Sequence, residues 1–250
     1  MGYSVCPTAL EQDIVMAVSV NDSEKIHLRN VESVRFENTD LTTDPYGKFG
    51  ESQHWSNYVL QGFKAVAQWA VKDGSLEKLK GMDIMTESTV PIAAGVSSSS
   101  ALTVVAAIAT LYANNLHKSI GRQELTNRVI DFERQVGTAC GGMDQTISIM
   151  AEMGQAKFIH FMPDLATEPV HLPPSLSFVV ANSLTPSPKI ATLGTRYNKR
   201  VVECRLAVAL VSLKLGLIPD ASQDSQKFRT PQQLQVALKK SLSEMAAICK

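Results

Sequence analysis

Four consecutive serines, Ser97 to Ser100, follow the small-residue stretch Pro91-Ile-Ala-Ala-Gly-Val and lead into the apolar run Ala101 to Ala113. Gly95 permits a tight turn and close backbone approach. The serines then set backbone N–H groups at a helix start, with hydroxyls above them. Unpaired N–H groups and the positive end of the helix dipole suit a polyphosphate at that point. A serine hydroxyl there can also ligate the magnesium that accompanies a nucleotide. One helix cap needs one serine, and four exceed that need. No G-x-x-x-x-G-K-[ST] occurs, so this is not a Walker P-loop.

Other residues could supply chemistry or plain structure. Glu133 lies one helical turn beyond Val129 and Ile130, on the border of an apolar face. It is a salt-bridged surface carboxylate, the usual case, or a hard oxygen ligand turned into a cleft. Asp144 follows two glycines in Thr138-Ala-Cys-Gly-Gly-Met-Asp-Gln145. It either caps a helix or takes up or orients a hydroxyl proton during phosphoryl transfer. Trp55 and Tyr58 could flank a planar ring, although aromatics at that spacing are more often core. Tyr197 heads a basic patch that is either a solvated face or a phosphate contact. The five histidines share no metal-ligand spacing.

These groups need elements to hold them. Alternation over 14–20 predicts a strand, and Ile26, Leu28 and Val31 predict a second after the Asn21-Asp22-Ser23 turn. Residues 36–54 read as loop. Helices are expected over 55–71, 122–136, 144–151 and 200–215, with short strands at 82–85 and 156–161 and a buried strand at 176–181. A last helix begins near Pro231; its face of Leu234, Leu238, Leu242, Met245 and Ile248 has few later elements to pack on. Mixed strands and helices make the chain α/β or α+β.

Composition narrows the function classes. The 250 residues carry 24 basic and 24 acidic side chains, so no global field draws in nucleic acid or an anionic membrane. The longest apolar stretch is too short to span a bilayer, and the N-terminus lacks a secretory pattern. Four scattered cysteines without a C-x-x-C fit reduced thiols. A soluble, cytoplasmic protein is expected.

Together, PIAAGVSSSSALTVVAAIA, ERQVGTACGGMDQ, WSNYV, YNKRVVECR and GYSVCPTALEQDIV resemble, in order, segments of the galactokinase and N-acetylgalactosamine kinase family of GHMP small-molecule kinases. The resemblance implies an α+β fold of the GHMP kinase type. Residues 1–175 would form a ribosomal protein S5 domain 2-like N-terminal lobe, and 176–250 the start of a second α+β lobe. It implies ATP-dependent phosphorylation of galactose or N-acetylgalactosamine at the C1 hydroxyl, with ATP and Mg2+ as cofactors and a monomeric state. Asp144 would be catalytic. Trp55, Tyr58, Gly95, Val96, Ser97, Ser98, Ser99 and Ser100 would bind nucleotide; Gly141, Asp144 and Tyr197 would contact sugar; Ser99 and Glu133 would hold the metal. The family's first motif, R-x-N-L-I-G-E-H-x-D-Y, would stand just before Gly2, and its glycine-rich third motif is absent. The chain is therefore expected to be the central part of such a kinase, with little activity alone and marginal stability. The alternatives are a sugar- and ATP-sensing regulator without catalysis, or an inactive truncated product.

Overall fold

The structure is a computed structural model and describes residues 3–50, 54–135, 140–185, 198–219 and 227–248. Alternation becomes strand β1 (Ile14–Asn21), with Met16 and Val18 packed inward and Val15 and Ala17 exposed. The Asn21 side-chain oxygen then accepts the Ser23 N–H at 2.9 Å and the Ser23 hydroxyl at 2.7 Å. That local turn leads to β2 (Lys25–Asn30). A further strand, β3 (Thr39–Thr42), falls inside the segment expected to be loop. Its Thr-Asp-Leu-Thr sequence is too short and polar to show a period. Leu41 nevertheless pairs with Ile26 and joins the apolar face of the sheet.

Helix α1 (Ser56–Lys72) carries the chain across to β4 (Gly81–Ser88), which inserts between β1 and β2. The sheet order is β1-β4-β2-β3, with β4 antiparallel to β1 and parallel to β2. One face packs Ile26, Leu28, Met82 and Ile84 against Val59, Leu60 and Phe63 of α1 and Ala106 of α2 (Ser98–Ala113). Each such buried side chain contributes about 1.5–3 kcal/mol. Helices α1 and α2 approach so closely at Gly62 that a Cβ there would collide with the Thr103 carbonyl. On their other side, Val66, Trp69, Val104 and Leu111 meet Leu125, Val129 and Phe132 of α3 (Arg122–Gln135) and Ile149 of α4 (Met143–Met150). These packed helices fix the start of α2 relative to α3 and α4.

Strands β5 (Gln155–His160) and β6 (Ala166–His171) pair separately. The strand expected at 176–181 does not form. Phe178, Val179 and Val180 are 61%, 93% and 65% exposed, because an apolar run buries itself only beside another strand and none of the described strands adjoins it.

The chain divides into two compact units, one made of 6–159 with 167–191 and the other of 1–5, 160–166 and 192–250. The second holds α5 (Asn198–Lys214), α6 (Pro231–Leu238) and α7 (Leu242–Ile248). One long final helix was expected, but Lys239 takes a left-handed φ of 53° and breaks it. Thr230 and Gln233 form a capping box on α6. Ser241 and Glu244 cap α7, and the Ser241 N–H holds the Glu244 carboxyl down to about 2. The expectation that the apolar face lacks a partner is corrected in part. Leu234 and Met245 are buried against Val208 of α5, while Leu242 stays 61% exposed. The break lets the last turns fold back onto an earlier helix.

Candidate active site

The loop before α2 carries the local strain of the site. Ala93, Gly95 and Ser97 have φ of 54°, 81° and 63°, so residues of positive φ alternate with residues of negative φ. For Ala and Ser that conformation costs about 1–2 kcal/mol each. Such strain clusters at ligand-binding segments, and turns of this kind can gather successive N–H groups into an anion-binding concavity. Ser97 precedes the helix without capping it through its side chain. The Ala101 N–H donates to the Ser97 carbonyl at 3.0 Å. The N–H groups of Ser98, Ser99 and Ser100 therefore have no acceptor within the helix.

That loop walls a cavity of about 620 Å³. Gly95, Ser97, Ser98 and Ser99 line it together with Trp55 and Tyr58, while Val96 and Ser100 do not. Trp55 is braced. Its indole N–H donates to the Glu37 carbonyl at 3.0 Å, and Phe36 meets its ring edge-on at 5.7 Å between centroids. The Arg35 guanidinium stands 5.7 Å from the Phe36 ring centre, and both residues line the cavity. No motif marked Arg35 or Phe36 in the sequence, because they sit in an irregular turn. Their signal is spatial.

Behind the serines lies a sealed polar cluster. Ser100, Glu133 and Gln145 are 3%, 8% and 1% exposed. The Gln145 amide nitrogen donates to a Glu133 carboxylate oxygen, to the Ser100 hydroxyl at 3.3 Å and to the Cys140 sulfur at 3.9 Å. Glu133 is thus buried, and the surface reading falls away. The Tyr58 phenol is pushed up to about 12, by burial first and then by Glu133. Burial and Glu133 likewise push the Cys140 thiol up to about 11.

Asp144 sits half-buried in the first turn of α4. The Gly141 carbonyl accepts from Arg134 at 3.4 Å. Neither residue lines the cavity, nor does Glu133. Tyr197 lies outside the described residues. Gln145 had no assigned role in the sequence, although it ends the Met-Asp-Gln triplet.

The family model for the GHMP kinases N terminal domain matches residues 57–152, which hold α1 to α4 and the serine loop. The galactokinase of Dictyostelium discoideum is 44% identical over 221 residues, covering 86% of this chain and 43% of that protein. The galactokinase of Candida maltosa is 31% identical over 150 residues, covering 60% of this chain and 69% of that protein. The chain belongs to the galactokinase family of the GHMP kinases. It spans about half the length of the curated relatives it matches. The crystal structure of Lactococcus lactis galactokinase complexed with galactose shares its fold, with a TM-score of 0.61 at 20% identity over 85% of this chain and 51% of that one. The α+β GHMP fold expected from the resemblance is the fold observed. Among the described residues no helix is long and apolar enough to cross a membrane.

Proposed function

We propose that this chain carries the nucleotide side of an ATP-dependent sugar kinase that phosphorylates the C1 hydroxyl of galactose or N-acetylgalactosamine. One observation supports it most. The strained Gly95–Ser99 loop and the braced Trp55 face one cavity, in a chain of the galactokinase family. In this reading the loop N–H groups and Ser97 to Ser99 cradle the phosphates, and Trp55 and Tyr58 border the adenine. Ser99, whose hydroxyl lines the cavity, and Glu133, in the cluster behind it, would hold magnesium in this reading. When bound, the metal neutralises charge developing on the phosphates.

Asp144 holds the sugar C1 hydroxyl and accepts its proton. The hydroxyl oxygen forms a bond to the γ-phosphorus, the bond from that phosphorus to the bridging oxygen breaks, and ADP leaves with the electron pair. Gly141 and Tyr197 contact the sugar. Positioning supplies most of the rate in such transfers. The protein works in this reading as a cytoplasmic monomer on small molecules.

The test is a chimera in which this chain replaces the matching segment of the Dictyostelium discoideum galactokinase. We expect sugar 1-phosphate from ATP and galactose, with kcat falling by about 10²–10⁴-fold in Asp144→Ala and little change in the KM for ATP. Wild-type turnover in that variant would leave Asp144 a carboxylate of the first turn of α4, whose cap is Gly142.

A further inference from the structure

Two strands end side by side at the cavity. β2 and β4 run parallel, with Asn30 opposite Thr86 near their carboxyl ends. Crevices outside the carboxyl ends of parallel strands are where such sheets take ligands. From β4 the chain runs into the serine loop. From β2 it enters the turn 31–36, whose Val31 N–H donates to the Thr86 carbonyl at 3.0 Å. The Glu32 N–H donates to the Asn30 side-chain oxygen at 2.9 Å, and the Glu32 carbonyl accepts from the N–H groups of Arg35 and Phe36, each at 3.0 Å. The turn is thus tied to the sheet at its root and to Trp55 through Phe36. A side chain on it meets the cavity from a braced backbone.

Arg35 is that side chain. It is the one basic residue among those lining the cavity, against two acids, Glu32 and Glu87. Neither acid pairs with it, and no acceptor among the described residues takes its side-chain donors. Its guanidinium lies instead over the Phe36 ring. A guanidinium on an aromatic face keeps its N–H fork for a planar or phosphate acceptor. Two carboxylates oppose a polyanion in this cavity, and the N–H groups at a helix start carry only partial charge. A full positive charge on the same cavity offsets them.

We propose that Arg35 binds the phosphate chain of the nucleotide, as the charged side-chain partner to the N–H groups of the serine loop. The inference rests on the kinase reading above. Losing a hydrogen bond to a charged group weakens binding by about ten- to a hundredfold.

Calorimetry of ADP binding to the full chain in chelator, with adenosine as a competing ligand, gives the affinity for each. Both carry the same base and ribose, so their ratio isolates the phosphate contribution. We expect Arg35→Met, which keeps an unbranched stem beside Phe36, to lower that ratio at least about tenfold and to leave adenosine within about twofold. Arg35→Lys keeps the charge without the fork and should recover part of the loss. If Arg35 only braced Trp55 through Phe36, the variant would weaken adenosine as much as ADP and leave the ratio unchanged, which overturns the inference. A wild-type ratio in Arg35→Met, with ADP weakened in the Ser98→Ala, Ser99→Ala double variant, overturns it too and leaves the kinase reading standing. A wild-type chain that binds neither ligand, that ignores adenosine, or that holds adenosine as tightly as ADP overturns the kinase reading and the inference together.

Discussion

Ser99 and Ser100 are neighbours on one helical turn, yet they belong to different worlds. Ser99 lines an open cavity with Trp55 and Tyr58. Ser100 is 3% exposed and hydrogen-bonded to Gln145 in a sealed cluster with Glu133. The difference follows from helix geometry, which turns successive side chains about 100° apart. The cavity side is strained, and its N–H groups have no acceptor within the helix. The cluster side satisfies most of its polar atoms internally and locks α2 to α3 and α4. A run of four serines thus divides into a cavity face, which we propose binds phosphate, and a structural anchor.

The sharpest way to break that contrast is to place a charge on each side. Ser100→Asp would bury a carboxylate beside Glu133, and we expect it to cost about 3–5 kcal/mol in urea denaturation. Ser99→Asp should keep the fold and abolish nucleotide binding by repelling phosphate. Equal destabilisation by the two would mean that both positions are buried in solution. A second effect is chemical. Cys140, pushed up to about 11 from 9.0, holds about a hundredfold less thiolate than an ordinary cysteine. Cys6 is exposed, so a disulfide reagent near neutral pH should label it long before Cys140. Early labelling of Cys140 would show that the cluster is open.

Smaller effects sharpen the contrast further. Ser100→Ala removes one hydrogen bond and should cost about 1 kcal/mol, whereas Ser99→Ala should stay within about 0.5 kcal/mol in the free chain. The least effect is alkaline. Cys140 and Tyr58 both titrate higher in the folded chain than in the unfolded one. Their contribution is intact below about pH 9 and is lost as pH rises through about 11 and 12. Tyr58→Phe should flatten the fall in melting temperature over the upper part of that window. An unchanged profile would show that Tyr58 does not feel burial or Glu133.

Much of the scaffold was legible because burial leaves a period in the sequence. β1, β2, α1 and α3 announced themselves through alternate or helically spaced apolar residues, most of them packed inward, although Val20 and Val31, read with those strands, are 47% and 58% exposed. β3 escaped because Thr39–Thr42 offers a single apolar residue, Leu41, and its pairing with Ile26 is long-range. The run 176–181 misled in the opposite sense. Apolar composition marks a strand only when a neighbour exists, and composition does not reveal neighbours. Lys239 broke the last helix although its residue type carries no stop signal. At the site, the serine loop was legible through its spacing. Glu133 was ambiguous, because its burial depends on a glutamine from another helix. Arg35 and Phe36 were silent, since only the folded turn brings them to Trp55.

The central claim is that the face formed by Ser98 and Ser99 binds the phosphates of a nucleotide. Calorimetry of MgATP with the wild-type chain and with the Ser98→Ala, Ser99→Ala double variant tests it most directly. A hydrogen bond to a charged group is worth about 1.5–3 kcal/mol, so we expect the double variant to bind at least about tenfold more weakly, with an unchanged melting curve. Equal MgATP affinity in the two proteins would contradict the phosphate-binding role of this face.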